Sequence, residues 1–238
     1  MFGFAFDSDD EPKIIAYMND VESLESRKNR LVYRKIKLLD VENIDFLVLK
    51  IKDAIRKNDN HGYIYTLDSA KNRMHGTYIS NFRIVRYYQN NLVLKGHIWN
   101  ETFGYHKVLK MIQNNEITTK GQWKKLKKSE LQGWLGFGFQ TQNPQIDREN
   151  VQLTIDGNMF KSLDEFFCYL GEEINGPGGY FGRNLHALED CFYGGFGIKS
   201  ISNIRWIDHH KSRMLLKENF EIIVKIFSDR KKLNLILE

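Results

Sequence analysis

The alternation of strand and helix patterns after residue 150 limits the fold of this chain more than any other feature. Short β-branched and apolar runs at 151–155, 201–206 and 233–237 predict three strands, and two helical patterns stand between each strand and the next. A helical connection lets consecutive strands run in the same direction, and such crossovers are almost always right-handed. The sequence therefore predicts an α/β fold here, a three-stranded parallel sheet packed with helices.

Local signals mark the ends of the helices in this region. Ser162 and Glu165 have the spacing of a capping box, in which each side chain accepts a hydrogen bond from a free backbone N–H at the helix start. The glycine-rich run at 175–179 ends that helix. A second helix is predicted over 184–193, with Asn184 as its N-cap. Further helices are predicted over 208–216 and 218–230.

The first 142 residues mix strand and helix patterns and match no motif. Strands are predicted at 13–18, 31–38, 63–66, 77–87 and 92–99, and helices at 41–57, 106–113 and 129–134. A polar stretch that contains Pro144 separates these patterns from the later ones. We therefore expect an α+β domain over 1–142, a linker over 143–150 and a second domain over 151–238.

Charge is distributed unevenly along the chain. Residues 1–150 hold 24 Lys and Arg against 18 Asp and Glu, whereas residues 151–238 hold 11 against 12. Within the second half, residues 162–190 carry six acidic side chains and one basic side chain, Arg183. An acidic segment in a chain with a net charge of +5 indicates a surface for a basic partner more directly than the net charge does.

Cysteine content and the lack of targeting patterns favour a cytoplasmic location. Cys168 and Cys191 are too few for a disulfide framework and lie in apolar stretches, so we expect buried free thiols in a reducing compartment. The N-terminal residues lack the basic start of a signal peptide, and the apolar runs are far shorter than the ~20 residues needed to span a bilayer.

The most informative stretch is 176–195, where a glycine-rich loop leads into a short helix. Tyr180 and Phe181 follow the glycines, and we expect Phe181 to pack inside. Helical spacing predicts an inward stripe that includes Leu188. The residues predicted on the opposite, solvent side are His186, Glu189, Asp190 and Tyr193. Carboxylates beside aromatic rings on a rigid element suit the binding of a basic groove in another protein.

The run Tyr180-Phe-Gly-Arg-Asn-Leu-His-Ala-Leu-Glu-Asp-Cys191 resembles the loop and second helix of the barstar family of ribonuclease inhibitors. The resemblance extends over 151–238, and residues 1–150 lie outside it. It implies a bacterial immunity protein or antitoxin that inhibits a secreted or toxin ribonuclease of the barnase type inside the producing cell. It also implies inhibition by occlusion, in which the acidic helix blocks the basic active site, so the chain is not expected to be an enzyme.

The resemblance implies roles for individual residues. Asp190 corresponds to the central aspartate, whose carboxylate takes the place of a substrate phosphate. Tyr180 corresponds to a loop tyrosine that packs on the enzyme, and Asp229 to an acidic contact on the last helix. The full set of predicted partner-binding residues is Tyr180, His186, Glu189, Asp190, Tyr193, Gly194 and Asp229.

Two positions depart from the family pattern. His186 stands where the family usually has a second aspartate, and Glu189 where its best-known member has tryptophan. His186 lies one turn from Asp190 and either pairs with it or contacts the partner, in which case its protonation would make binding pH-dependent. The departures favour a ribonuclease of the barnase type over barnase itself as the target.

Other residues suggest alternatives. Asp208, His209 and His210 are adjacent, and neighbouring helical residues point about 100° apart, so they suit one metal ion poorly; no metal or cofactor is predicted. Lysines around Trp123, followed by an aromatic stretch at 136–139, suggest as the alternative function a nucleic-acid-binding protein that acts through its basic N-terminal region. A solvated lysine face beside a packed strand explains these residues more simply, so nucleic acid is not the expected partner. An enzyme such as a nuclease is the third alternative, and no catalytic constellation supports it.

Overall fold

A computed structural model of the chain describes residues 1–7, 11–26, 31–99, 102–141, 147–230 and 233–238. Contacts between Cα atoms divide the chain into two compact units, Met1–Gln113 and Asn114–Glu238. Residues 114–141, which the sequence grouped with the first region, thus pack with the second unit. The domain boundary at 142 and the linker at 143–150 stay predictions, and residues 143–146 of that linker lie outside the described residues.

The first unit is an antiparallel sheet with two helices. Its strands are β1 (Phe2–Phe6), β2 (Ala16–Met18), β3 (Asp20–Glu22), β4 (Val32–Leu39), β5 (His61–Leu67), β6 (Arg73–Tyr88) and β7 (Asn91–Ile98), and its helices are α1 (Ile44–Arg56) and α2 (Tyr105–Gln113). The strand order is β2-β1-β5-β6-β7-β4-β3, with every neighbouring pair antiparallel. The α+β class of this region is confirmed, although the sequence pattern predicts no strand at β1 or β3.

The core of the first unit lies on one face of this sheet. The inward stripe of α1, with Leu47 and Ile51 fully buried, packs against alternate strand residues such as Ile36 and Leu94. Helix α2 lies on the same side, because the His106 imidazole is 3.3 Å from the Thr77 hydroxyl. The alternate residues of each strand point to the opposite face of the sheet.

The second unit contains the three-stranded parallel sheet that the sequence predicts. Its strands are β8 (Val151–Asp156), β9 (Ile201–Ile207) and β10 (Asn234–Leu237), in the order β10-β9-β8. Its helices are α3 (Leu131–Thr141), α4 (Leu163–Asn175), α5 (Leu185–Cys191), α6 (His209–Leu216) and α7 (Glu218–Ser228). The core is aromatic: the Trp206 ring stacks on Phe166 with centroids 5.8 Å apart, and its indole N–H donates to the Ser212 hydroxyl at 2.9 Å.

Two local predictions in this unit are wrong in detail. The aromatic stretch at 136–139, interpreted as a strand, belongs to helix α3. Gly138 of that helix approaches the next loop so closely that a Cβ there would lie 3.1 Å from the Gly178 carbonyl oxygen, so tertiary contact outweighs the low helix propensity of glycine. The capping box is only half formed. The Ser162 hydroxyl accepts from the Glu165 N–H at 3.3 Å, but the Glu165 carboxylate accepts from the backbone N–H of Lys161 instead of that of Ser162.

None of the helices in the described ranges is long and apolar enough to cross a membrane.

Candidate functional site

Helix α5 presents the predicted surface. The Asn184 side chain accepts from the Ala187 N–H at 2.8 Å, which confirms it as the N-cap, and Leu188 and Cys191 are buried. The exposed residues of the helix and its C-terminal end are His186, Glu189, Asp190 and Tyr193. Gly182 has φ +91, and a Cβ there would lie 2.9 Å from the Leu188 backbone nitrogen, so the loop lies directly against the helix. A short helix fixed at its start and along its inner stripe holds these side chains in one orientation.

The Asp190 carboxylate is exposed, and within the described parts of the chain no Lys, Arg or His forms an ion pair with it. His186 is also exposed and forms no ion pair with Asp190 there. The charge of Asp190 is therefore available to a partner. The structure places Asp229, which is exposed, directly after the last residue of α7.

Arg230 is a member of this surface that sequence reasoning missed. Its guanidinium lies over the rings of Phe192, at 5.0 Å, and Tyr193, at 5.1 Å. Its Nη2 is 3.7 Å from the Glu189 carboxylate and donates to the Glu189 carbonyl at 3.3 Å. Arg230 thus joins the end of α7 to the end of α5 and partly neutralises Glu189. It is 41 positions from Glu189, and no local pattern signals that contact.

Gly194 has a conformational reason to be glycine. Its φ is +98, and the following loop is held by Asp147, whose carboxylate accepts from the N–H groups of Gly195 at 2.6 Å and Gly197 at 2.9 Å. A Cβ on Gly194 would lie 2.9 Å from that carboxylate. A role of Gly194 in partner binding stays a prediction.

Tyr180 does not lie on the surface. Only 2% of the residue is exposed, and its ring packs against Phe139 of α3 at 5.3 Å and Phe196 at 5.8 Å. Burial raises the pKa of its phenol to about 12. For Tyr180 to pack on a partner, as the family resemblance implies, its ring would have to leave this enclosed position. Phe181 is fully buried and contacts Phe192 edge-on, in agreement with the packing role predicted for it.

A buried carboxylate lies beside the glycine-rich loop that contains Tyr180. Glu172 of α4 is 2% exposed and accepts hydrogen bonds from the Gly121 N–H at 2.6 Å, the Trp123 indole N–H at 2.9 Å and the Gly178 N–H at 3.3 Å. Burial raises the pKa of this carboxyl, and its three donors oppose that shift. Glu172 therefore joins the glycine-rich loop to the segment that leads into α3. In the sequence, Glu172 is one of six acidic residues of the segment 162–190, and no local pattern signals its burial.

The alternative sites have less support in the structure. Trp123 is 2% exposed, so its ring cannot stack on a ligand, although Lys124 and Lys128 beside it are exposed. Among the residues placed by the structure there is no cluster of three or more His, Cys, Asp or Glu side chains that could hold a metal ion. The His209 ring nitrogen Nδ1 instead lies 2.8 Å from the Glu238 carbonyl.

The thiol nearest to the candidate site is not available as a nucleophile. Burial, with a smaller contribution from the Asp190 charge, raises the pKa of Cys191 to about 12. Burial also raises the pKa of Cys168 well above its ordinary value. Both cysteines are free and buried, as the sequence predicts. The arrangement on α5 is therefore suited to binding through charge and shape.

Comparison with protein-family models identifies residues 150–234 as a Barstar (barnase inhibitor) domain, which confirms the resemblance found in the sequence. The match covers β8, β9 and helices α4 to α7 and ends at Asn234, the first residue of β10; residues 1–149 match no family model. A search of curated proteins finds no match to the chain.

Proposed function

We propose that this Barstar domain inhibits a ribonuclease of the barnase type by inserting the exposed face of α5 into its active site. The family is one of protein inhibitors, and the observation that carries the proposal is Asp190, which is exposed on a fixed helix of that domain and forms no ion pair within the described residues. An enzyme that binds RNA phosphates needs cationic side chains in its groove. A carboxylate can accept charge-assisted hydrogen bonds from those side chains in place of a phosphate.

The rigidity of α5 supports a tight complex. Asn184 fixes the start of the helix, and Leu188 and Cys191 fix its inner face, so little side-chain and backbone freedom is lost when the helix binds. Opposite charge on the two partners also accelerates their encounter. Glu189 and Asp190 supply that charge on the inhibitor.

Arg230 and His186 give the surface its own specificity. Because Arg230 pairs with Glu189, Asp190 is the main carboxylate left for the cations of the enzyme. Tyr193, which is 76% exposed, is available for packing on the enzyme, whereas Tyr180 is enclosed. We therefore assign the contacts to α5, Tyr193 and the end of α7 with Asp229. This surface is more mixed in charge than the family pattern. We therefore favour a relative of barnase, rather than barnase itself, as the target.

The proposed setting is the cytoplasm of a cell that makes or meets such a ribonuclease, where the chain would act as an immunity protein or antitoxin. Two free, buried cysteines fit a reducing compartment. No cofactor and no catalytic step is needed, because the inhibitor acts by occupying the groove.

Inhibition of a purified barnase-type ribonuclease by the full-length chain tests the proposal, with cleavage of a fluorogenic RNA as the readout. We expect stoichiometric inhibition by the wild-type chain, at least 100-fold weaker inhibition by Asp190→Ala, and no change for Glu218→Ala, a matched exposed carboxylate at the start of α7. A change below about threefold for Asp190→Ala would show that Asp190 is not the central contact. Absence of inhibition by the wild-type chain would contradict the function itself.

A further inference from the structure

The strand registers of the first unit bring basic side chains together on the face opposite the core. In an antiparallel sheet, residues directly opposite each other point to the same side. Lys35 of β4 is paired with Lys95 of β7, and Lys95 is paired with Arg83 of β6. The neighbouring row runs from Lys37 through Val93 to Arg86. We call this surface the open face; it consists of Tyr33, Lys35, Lys37, Arg83, Arg86, Tyr88, Lys95 and His97.

Side-chain contacts confirm that these residues share one face. The Tyr33 ring lies 4.9 Å from the His97 ring, and the Lys95 ammonium lies 4.8 Å from the centre of the Tyr33 ring. Arg86 lies over Tyr88 at 5.5 Å. The alternate residues Ile36, Ile84 and Leu94 belong to the core on the other side. Tyr33 is 44% exposed and Tyr88 is 40% exposed, so both rings are accessible.

The charges on this face are almost entirely of one sign. Across its five cations, the ion pair seen within the described ranges is that of Lys37 with Glu22, at 3.6 Å on the edge of the sheet. Like charges directly opposite each other destabilise a sheet. An anion against the Lys35–Lys95–Arg83 row would relieve this repulsion.

We propose that the open face binds single-stranded nucleic acid. A single strand presents regularly spaced phosphates together with flat bases that are not enclosed in a duplex. The ammonium and guanidinium groups of the two rows would contact the phosphates, and the exposed rings of Tyr33 and Tyr88 would stack on bases. An acidic protein surface would satisfy the cations, but it would give no comparable role to the rings between them.

This binding site differs from the one that the sequence suggested. The lysines around Trp123 belong to the second unit, and the Trp123 ring is buried. The open face joins residues from three strands that are far apart in the sequence. The inference is also independent of ribonuclease inhibition, because it uses no residue of the Barstar domain.

Fluorescence anisotropy of a labelled 12-nucleotide RNA and of the matching DNA, titrated with the full-length chain at 50 and 200 mM salt, tests the proposal. We expect Lys35→Gln/Lys95→Gln to bind at least tenfold more weakly. The negative slope of log affinity against log salt should become shallower by about 1.4, since each lost single-strand phosphate contact removes about 0.7 from its magnitude. Tyr33→Leu should weaken binding and leave the slope unchanged.

Two control variants remove the same charge elsewhere. Lys50→Gln/Lys52→Gln changes the exposed side of α1, and Lys124→Gln/Lys128→Gln changes the lysines beside Trp123. We expect both to bind within twofold of the wild type. Equal losses in a control and in the open-face variant would overturn the proposal. The proposal would also be overturned if the chain bound neither the RNA nor the DNA oligonucleotide, or if it bound phosphatidylserine vesicles and no oligonucleotide.

Discussion

The exposed face of α5 and the open face of the first unit differ in charge and in the way the chain assembles them. The α5 surface is mainly acidic, and apart from Asp229 at the end of α7 its contacts come from one run of residues on and beside a capped helix. The open face is basic and depends on the pairing of β4, β7 and β6. The comparison shows that a net charge of +5 describes neither surface. Each surface is suited to a partner of the opposite sign.

The largest expected effect is the loss of ribonuclease inhibition in Asp190→Ala, and measuring RNA binding by the same variant tests whether the two surfaces act separately. Asp190→Ala should weaken the ribonuclease complex by about 3–5 kcal/mol, because the enzyme's cations are left buried without their partner. The same variant should bind the RNA oligonucleotide as the wild type does. Lys35→Gln/Lys95→Gln should show the reverse pattern. The check is both assays on both variants, and a variant that loses both activities would break the separation of the two surfaces.

Loss of the buried carboxylate should come next in size. Glu172→Ala leaves the N–H groups of Gly121, Gly178 and the Trp123 indole without their acceptor, so we expect the free energy of unfolding to fall by about 2–4 kcal/mol. Urea unfolding followed by tryptophan fluorescence measures this change. Glu173→Ala, which removes a surface ion pair with Lys120, is the matched control and should lose less than about 1 kcal/mol.

The same carboxyl predicts the sign of a pH dependence. Burial raises the pKa of Glu172 above 4.5, so its ionisation is harder in the folded chain than in the unfolded chain. Its contribution to stability is therefore complete below pH 4.5 and declines as the pH rises through the folded pKa. Compared with Glu172→Gln, the wild type should lose free energy of unfolding as the pH rises from 4.5 towards neutrality. The opposite trend would show that the three donors outweigh burial.

The two tyrosines near α5 test whether the family pattern or the present geometry describes the contact with the ribonuclease. The family pattern assigns the contact to Tyr180, whereas the geometry favours Tyr193. Tyr193→Ala should weaken ribonuclease inhibition by about 1–2 kcal/mol, because an exposed aromatic ring at the edge of α5 is lost. Tyr180→Phe should leave inhibition within threefold of the wild type, since the ring is enclosed by Phe139 and Phe196. Titration of the ribonuclease with each variant measures both effects. A large loss for Tyr180→Phe would mean that the ring leaves its enclosure in the complex.

The smallest expected effect is a gain in stability. Lys35→Gln removes one member of the row of facing cations, so we expect the free energy of unfolding to rise by about 0.2–0.5 kcal/mol at low salt. Screening should abolish the gain at 1 M salt. Thermal unfolding measures the change, with Lys50→Gln on α1 as the control. An equal gain for the control would trace the effect to net charge rather than to the row.

The sequence predicted α5 well because everything that defines the helix is local. Its cap, its buried stripe and its exposed acidic residues all lie between Asn184 and Tyr193. The parallel order of the C-terminal sheet was equally accessible, since helical crossovers impose it. Contacts over long distances were not accessible. Nothing near Glu189 signals Arg230, and the pairing of Lys35 with Lys95 depends on a register that forms only when the sheet does.

Two local features could not be predicted for the same reason. Residues 136–139 carry the aromatic and glycine pattern of a strand, yet they belong to helix α3, in which Gly138 lies against the glycine-rich loop. The family resemblance implies a partner contact for Tyr180, and its burial could not be foreseen because a ring that encloses it, Phe139, belongs to α3, 41 positions earlier in the chain.

The hydrogen bonds of Glu172 also decide where this chain can be cut. A recombinant fragment that starts at residue 150, where the family match begins, would keep Glu172 and Tyr180 but discard Gly121, Trp123 and Phe139. It would expose an apolar patch that the intact chain encloses, and such patches promote self-association. A fragment that starts at Asn114 keeps the whole compact unit. The segment matched by the family model is thus shorter than the segment needed to keep its apolar residues buried.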